Sequence, residues 1–437
     1  MAETMRHTTD GQTVTIFTGK IDWRLTVITE AIIRIQRADQ PDHRSTAIEG
    51  DKMRPTAFTV AAVARGLALK TSELTVCVTP RGHVDVYAAD GTPLVLDYRG
   101  PRVPLVRDVD AALARLAAKE GHEMAAGAIA DRRAAGDTGG ATTEAGAIKD
   151  GRDAATAPAA AAASTTAAPA PTHATAPVEL IKKMPAAKCF YGLGDKTGFI
   201  NKYGYEYDNW NTGNSRPQLE NFTKLYKSVP ILYGLAERHA FGLFFDNAYA
   251  SHLDLGKESA DYYTYSAQGG VLDYYVLGGR SLAAVVANYT YLTGTTPLPQ
   301  KWTLGYHQSR WSYQTAAQVT AIATQMRAHA LPCDAIHLDI DYMAGYRVFT
   351  IDQARFPALQ DLATALGKTG IKLIPIIDPG VKEEPGYPVY DEGCTQDYFV
   401  KTPSGPFTPM KSGPGRRFIP TLAGPRCASG GRTSTSC

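Results

Sequence analysis

The sequence predicts a two-part fold, an antiparallel β-sandwich followed by a parallel strand–helix portion, on three observations. Short β-branched runs separated by turn residues fill positions 12–98 and resume near Val178. From Trp302 to Asp378, strand-like and helix-like runs alternate at the spacing of a βα barrel or an open α/β sheet. Between the strand-rich stretches lies an Ala/Gly/Thr/Pro tract that offers little to bury against the entropy of ordering.

The first strands read TVTIF, WRLTVIT, AIIRIQ, LTVCVT and HVDVYA, with turn material such as Asp90-Gly91-Thr92-Pro93 between them. They suit a sandwich or a meander. Ala111 to Lys119 has the pattern of a brief helix, and the stretch from about 104 to 177 as a whole predicts a disordered insertion. Such an insertion is tolerated inside one sandwich because closure entropy grows slowly with length. Beyond it, CFYGLGDKTG has three glycines but not the spacing of a phosphate loop, and it reads as a tight turn. TGFINKYGYEYDNWNTGN reads as a loop, KLYKSVPILYGL and FGLFFDNAY as strands, and Leu282 to Leu292 as a helix.

The α/β portion opens at Pro297 to Pro299. Trp302 to His307 is a strand candidate. Ala316 to Ala330 is helical in pattern, with Val319, Ile322, Ala323 and Met326 on one face. Ala335-Ile336-His337-Leu338 is a buried strand running into Asp339-Ile340-Asp341. Phe356 to Lys368 is a second helix stopped by Gly370, and Ile371 to Ile377 is a strand ending at Asp378. Charge is costly in a core unless partnered, and the C-terminal ends of barrel strands are where chemistry sits. Acids at two neighbouring strand tips therefore point to a ligand site; the competing reading is that they hold loops. His307 and His337 read as core histidines rather than bases. From Asp391 the rhythm lapses, and the end of the chain is rich in Gly, Ser, Thr and Arg.

Composition bounds the rest. The chain has 437 residues, room for two or three domains, and 45 basic against 43 acidic side chains. That balance supports neither a nucleic-acid nor a membrane-surface partner. Six cysteines show no ligand or disulfide rhythm. The 23 tyrosines and four tryptophans suit sugar contacts and large cores equally. The first residues lack an apolar signal-peptide core, so a cytoplasmic location is the expectation. Asn221-Phe222-Thr223 and Asn288-Tyr289-Thr290 fit the glycosylation pattern, which matters only in a secreted chain.

In order along the chain, FYGLGDKTG, LYKSVPILYG, FGLFFDN, PLPQKWTLGYHQSRWSY, DIDYMAGYRVFT and KLIPIIDPGV resemble glycoside hydrolase family 31, the α-glucosidase and α-xylosidase family. The resemblance implies an N-terminal β-sandwich followed by a (β/α)₈ TIM barrel, of which this sequence holds about three strands. It implies retaining hydrolysis of α-linked oligosaccharides, with one carboxylate attacking the anomeric carbon and a second protonating the leaving oxygen. It implies no metal or organic cofactor.

Residue by residue, Asp339 matches the family aspartate that binds sugar hydroxyls beside the cleaved bond. Ile340 and Ile376 match apolar wall positions, Asp341 and Asp378 look like supporting acids, and Arg310 and Trp311 match a motif at the end of the first barrel strand. Relatives often carry an aspartate where Gly213 stands; Asp208 or Asn214 are the substitutes at hand. The W-x-D-M-N-E-type nucleophile motif does not occur in the sequence, and neither does the later acid/base aspartate. The sequence is thus identified as a C-terminally truncated member. Its expected parts are a first sandwich segment (1–103), the insertion (104–177), a second sandwich segment (178–297), a partial barrel (298–408) and an aberrant tail (409–437). A non-catalytic carbohydrate-binding remnant is the alternative function.

Overall fold

The computed structural model describes residues 5–42, 47–102, 177–213, 219–401, 409–411 and 416–418. The expected insertion, its brief helix, Asn214 and nearly all of the expected tail lie outside the described residues. Two compact units divide the chain, Met1–Thr295 and Thr296–Cys437.

The first unit is a β-sandwich. Its strands are β1 (Arg6–Asp10), β2 (Thr13–Phe17), β3 (Trp23–Thr29), β4 (Ile32–Arg37), β5 (Thr59–Val63), β6 (Gly66–Lys70), β7 (Leu74–Val78), β8 (Val84–Ala88) and β9 (Pro93–Val95). After the low-complexity interval follow β10 (Val178–Lys183), β11 (Phe190–Gly194), β12 (Glu206–Asn209), β13 (Ser228–Ala236), β14 (His239–Phe245), β15 (Ser251–Asp254), β16 (Tyr262–Ala267) and β17 (Asp273–Gly279). One sheet runs β1-β2-β3-β4-β17-β14-β13-β11, a second β10-β16-β15-β12 and a third β5-β6-β7-β8-β9. Strand alternation explains the layering: Val14, Leu25, Ile33 and Val276 of the long sheet share one core with Leu69, Val76 and Val86 of the third sheet and Leu180 and Leu253 of the second.

Helix α1 (Leu282–Thr293) covers the other face of the long sheet, placing Val285 and Leu292 on Phe244, Tyr275 and Leu277. It starts where Ser281 accepts the Ala284 N–H at 3.2 Å, an N-cap. The sequence expectation of a loop across the tyrosine-rich stretch is corrected at β12, which pairs with β15. Its signal is short and diluted by aromatic turn residues. The glycine-rich segment is also not a plain turn. It is strand β11, bulged between Gly192 and Gly194. A Cβ at Gly194 would lie 2.1 Å from the Lys227 carbonyl oxygen, and its φ is +81°, so only glycine lets the two strands approach there.

The second unit carries three short parallel strands in sequential order, β18 (His307–Gln308), β19 (Ala335–Leu338) and β20 (Lys372–Pro375). Between them lie α2 (Ala316–Ala328) and α3 (Leu359–Lys368). This is the start of a β/α barrel, with no closed barrel sheet among the described residues. The Trp302–His307 strand expectation is corrected: Lys301–Leu304 is a 3₁₀ turn and the strand begins only at His307. The α2 face predicted from periodicity is the packed one, with Val319 and Ala323 buried and Ile322 and Met326 half-buried beside them. Thr315 caps α2 by accepting the Gln318 N–H. Gly370 ends α3 at φ +75°, its N–H donating to the Gly367 carbonyl and the Ile371 N–H to Leu366, a paired helix stop.

Ile336 and Leu338 point from β19 into the helix layer with Leu362 and Leu366, each such burial contributing roughly 1.5–3 kcal/mol. By alternation, His307, His337 and Ile374 occupy the opposite face. After β20 the chain forms β21 (Val381–Lys382), α4 (Pro388–Thr395), β22 (Pro409–Lys411) and β23 (Arg416–Phe418), the strands ordered β21-β23-β22. Helix α4, opened by Pro388 at its first turn, falls where the sequence rhythm was read as lapsing.

Candidate functional site

The tips of β18, β19 and β20 gather most of the sequence-predicted residues. Strand β19 stops at Leu338, and Asp339 caps a 3₁₀ turn over Ile340–Tyr342, its carboxylate accepting the Ile340 N–H at 2.7 Å. The Ile376 N–H continues the ladder to the Leu338 carbonyl at 2.9 Å, and the Tyr342 hydroxyl donates to the Ile376 carbonyl at 2.8 Å. Asp339 and Ile376 are thereby held on adjacent tips.

The two apolar wall positions differ in exposure. Ile340 keeps the phase of Ile336 and Leu338, is only 5% exposed and packs in the same core rather than forming an open wall. Ile376, at 42% exposed, does offer apolar surface.

The acids differ sharply in what surrounds them. Asp341 is 6% exposed. It accepts hydrogen bonds from the Ser312 hydroxyl and, at 3.2 Å, from the Tyr346 hydroxyl, and pairs with the Arg355 guanidinium at 3.5 Å. Burial pushes the Tyr346 phenol up, and the facing Asp341 charge adds to this. Asp339 and Asp378 are half-buried. Beyond the Ile340 N–H, neither side chain has a hydrogen-bond or ion-pair partner among the described residues. Asp378 precedes Pro379 with φ +45°, a left-handed backbone uncommon for an aspartate, which marks a sharp change of direction at the β20 tip.

Arg310 and Trp311 follow β18. Trp311 is 74% exposed, and the Arg310 guanidinium lies over the Tyr313 ring at 5.8 Å. On the sheet face below the tips, His307 Nδ1 and His337 Nε2 are 3.1 Å apart, and His307 Nε2 meets the Trp302 carbonyl at 3.2 Å. Desolvation, with His307 alongside, lowers the His337 imidazole from its ordinary value. Among the described residues no group of three or more His, Cys, Asp or Glu side chains could hold a metal ion.

The sequence reading missed Ser312, Tyr346 and Arg355. Ser312 and Tyr346 lie inside quoted motifs, but nothing in their spacing shows that they converge on one carboxylate. On the sandwich, Asp208 is engaged by His252 Nδ1 at 2.8 Å and the Thr223 hydroxyl at 2.9 Å. Burial alone would raise its carboxyl, but these bonds outweigh it and hold it below the usual range. Gly213 is exposed beside the Tyr226 ring.

A sandwich followed by parallel strands whose tips carry acids has the layout of a barrel protein with a ligand site at its strand tips. The family profiles are specific. The glycosyl hydrolases family 31 TIM-barrel domain matches residues 296–429. The glycosyl hydrolase 31 N-terminal galactose mutarotase-like domain matches residues 22–254, more than half of the chain. The chain belongs to glycoside hydrolase family 31.

Among its relatives is Alpha-glucosidase 2 of Bacillus thermoamyloliquefaciens, 45% identical over 239 residues, which are 55% of this chain and 30% of the relative. Human Neutral alpha-glucosidase AB is 32% identical over 246 residues, covering 51% of this chain and 26% of that protein. The chain thus spans about a third or less of the curated relatives it matches. A Flavobacterium johnsoniae family 31 dextranase with glucose bound shares the fold at TM-score 0.74 and 20% identity, over 98% of this chain and 45% of the dextranase. The glucosidase II alpha subunit in its Tris-bound form does so at TM-score 0.71 and 18% identity, over 97% and 48%.

Proposed function

We propose that this chain is the sandwich and leading barrel portion of a family 31 α-glycosidase, a retaining enzyme on α-linked oligosaccharides, with Asp339 as a sugar-hydroxyl acceptor. The observation that carries the reading is the Asp339 carboxylate, half-buried at a strand tip with acceptor capacity left over, with exposed Ile376 on the adjacent tip and exposed Trp311 in the segment after β18. An ionised carboxylate only accepts, which suits a ring of hydroxyl donors. Apolar surface alongside suits the C–H face of a pyranose.

The sequence carries no W-x-D-M-N-E-type nucleophile motif, and this reading expects the chain by itself to bind a saccharide without turning it over. Two measurements test this. Hydrolysis of nitrophenyl α-glucoside stays at the level of a mock preparation, and turnover well above it overturns the inactive reading. Calorimetric titration with maltose gives heat that Asp339→Ala removes.

A second reading, a saccharide-binding sandwich, rests on Trp210. It is 57% exposed and stands between hollows of about 390 and 590 Å³ lined by Asn211, Asn247, His252 and Gln268. If Trp210→Ala abolishes maltose heat while Asp339→Ala leaves it, the sandwich reading replaces the first.

A further inference from the structure

We propose that Asp341 is a positioning residue: its buried carboxylate clamps the turn after β19 to the β18 tip in the arrangement that presents Asp339 to a sugar. The inference rests on the sugar reading of Asp339, but the clamp itself is carried by geometry. A carboxylate that is 6% exposed needs partners, because an uncompensated buried charge is costly. Asp341 takes them from three places in the chain. Ser312 comes from the segment after β18, Tyr346 from the loop after the 3₁₀ turn, and Arg355 from the approach to α3. Arg355 also donates to the Asp341 backbone carbonyl at 3.3 Å and to Gln314 at 3.1 Å, which ties the post-β18 segment in a second time.

Burial and occupancy together decide the role. An ionised carboxylate has about four acceptor sites on two oxygens. Three of those of Asp341 already face a serine hydroxyl, a phenol and a guanidinium, and at 6% exposure a sugar hydroxyl could reach the group only by displacing a buried donor. Asp339, two residues earlier, spends one site on its own turn. The turn that both share is pinned on its other side as well, through the Tyr342 hydroxyl on the Ile376 carbonyl. Asp341 thus fixes the turn to the β18 tip while Tyr342 fixes it to the β20 tip. Asp339 sits at the start of that turn, and its carboxylate can move only as far as these two anchors yield.

The test uses the full chain with Asp341→Asn, Asp341→Ala and Ser312→Ala, read by maltose calorimetry, amide hydrogen exchange and melting. Loss of a charge-assisted bond of this kind predicts about tenfold weaker maltose binding for Asp341→Ala, with Ser312→Ala and Asp341→Asn weaker in the same direction. Amides in 309–314 and 339–347 exchange about tenfold faster, while those of β3, β4 and β17 are unchanged. Unchanged exchange at the tips in all three variants overturns the clamp. Weaker binding with unchanged exchange overturns it in favour of direct sugar contact by Asp341. Should the unaltered chain bind no maltose, the sugar reading of Asp339 fails separately, and the exchange data alone then uphold or overturn the clamp. If Asp341→Ala does not fold, Ser312→Ala, which removes one donor and no charge, distinguishes the same outcomes.

Discussion

The sandwich and the strand–helix unit solve burial differently. In the sandwich, the long sheet is covered on one face by two smaller sheets and on the other by α1, so that both faces are packed. In the strand–helix unit, helices cover one face of three short strands. The other bears a histidine pair, and the tips above it leave Trp311, Ile376 and Ile377 exposed. The difference separates a region that spends its polar side chains on its own stability from one that leaves acceptors unspent. Lys182 of β10 is 1% exposed, with its ammonium on Asp97, the Val84 carbonyl and the Tyr274 hydroxyl. Burial alone would lower it, yet Asp97 and Tyr274 hold it above its ordinary value. No charged side chain at the three tips is as completely internal as that lysine, and there the carboxylates of Asp339 and Asp378 stay available.

The largest expected effect breaks the sandwich side of the contrast. Asp97→Ala strands a buried ammonium and should cost the sandwich about 3–5 kcal/mol, read as a drop in its denaturant midpoint. A change below about 1 kcal/mol would mean that Lys182 swings to solvent and that the sandwich interior is looser than described. Next, Ile336→Ala removes a fully buried side chain from the helix-covered face of β19 and should cost the second unit about 2–4 kcal/mol, with sandwich amides unaffected in exchange. Equal loss of protection in both units would erase the contrast, because it would make them one cooperative body.

The smallest effects are pH slopes, and they sharpen the comparison from opposite ends of the scale. Burial lowers the Lys196 ammonium to about 8, with Asp208 and Asp195 only partly opposing it. Between that value and the ordinary lysine range the unfolded chain holds a proton that the folded chain does not. Sandwich stability therefore rises with pH across that window, and Lys196→Met should flatten the slope. His337 is lowered as well, so on acidification the unfolded chain protonates first and the second unit loses stability below the ordinary histidine range. His337→Gln should remove that loss.

How much of this could be read in advance depended on the range of the interactions. Local periodicity sufficed for α2, whose apolar face was correctly named, and for Gly370 as a helix stop, since both are decided within one or two turns of chain. Strand candidates such as Trp23–Thr29 and Ile32–Arg37 were legible from β-branching. Strand β12 was not, because its pairing with β15 is set by a partner more than forty residues away. The same limit hid the Asp341 cluster. Motif order placed Asp339 and Asp341 side by side, but only folding shows that one carboxylate is buried among three donors while the other meets only the N–H of its own turn. Ile340 was misplaced for a local reason, since it is in phase with Ile336 and Leu338, which face the helix layer, and so joins their core.

Where the first and second sandwich segments rejoin, the Tyr98 N–H donates to the Ile181 carbonyl at 3.1 Å and the Lys183 N–H to the Leu96 carbonyl at 2.7 Å. The long interval between them therefore leaves and returns at a single hydrogen-bonded doorway. Replacing it with a linker of about ten residues should gain at most about 2 kcal/mol, because the closure penalty grows only logarithmically. That indifference makes the doorway a natural port for grafting: a foreign segment whose ends can meet there would ride on the sandwich without asking anything of its interior.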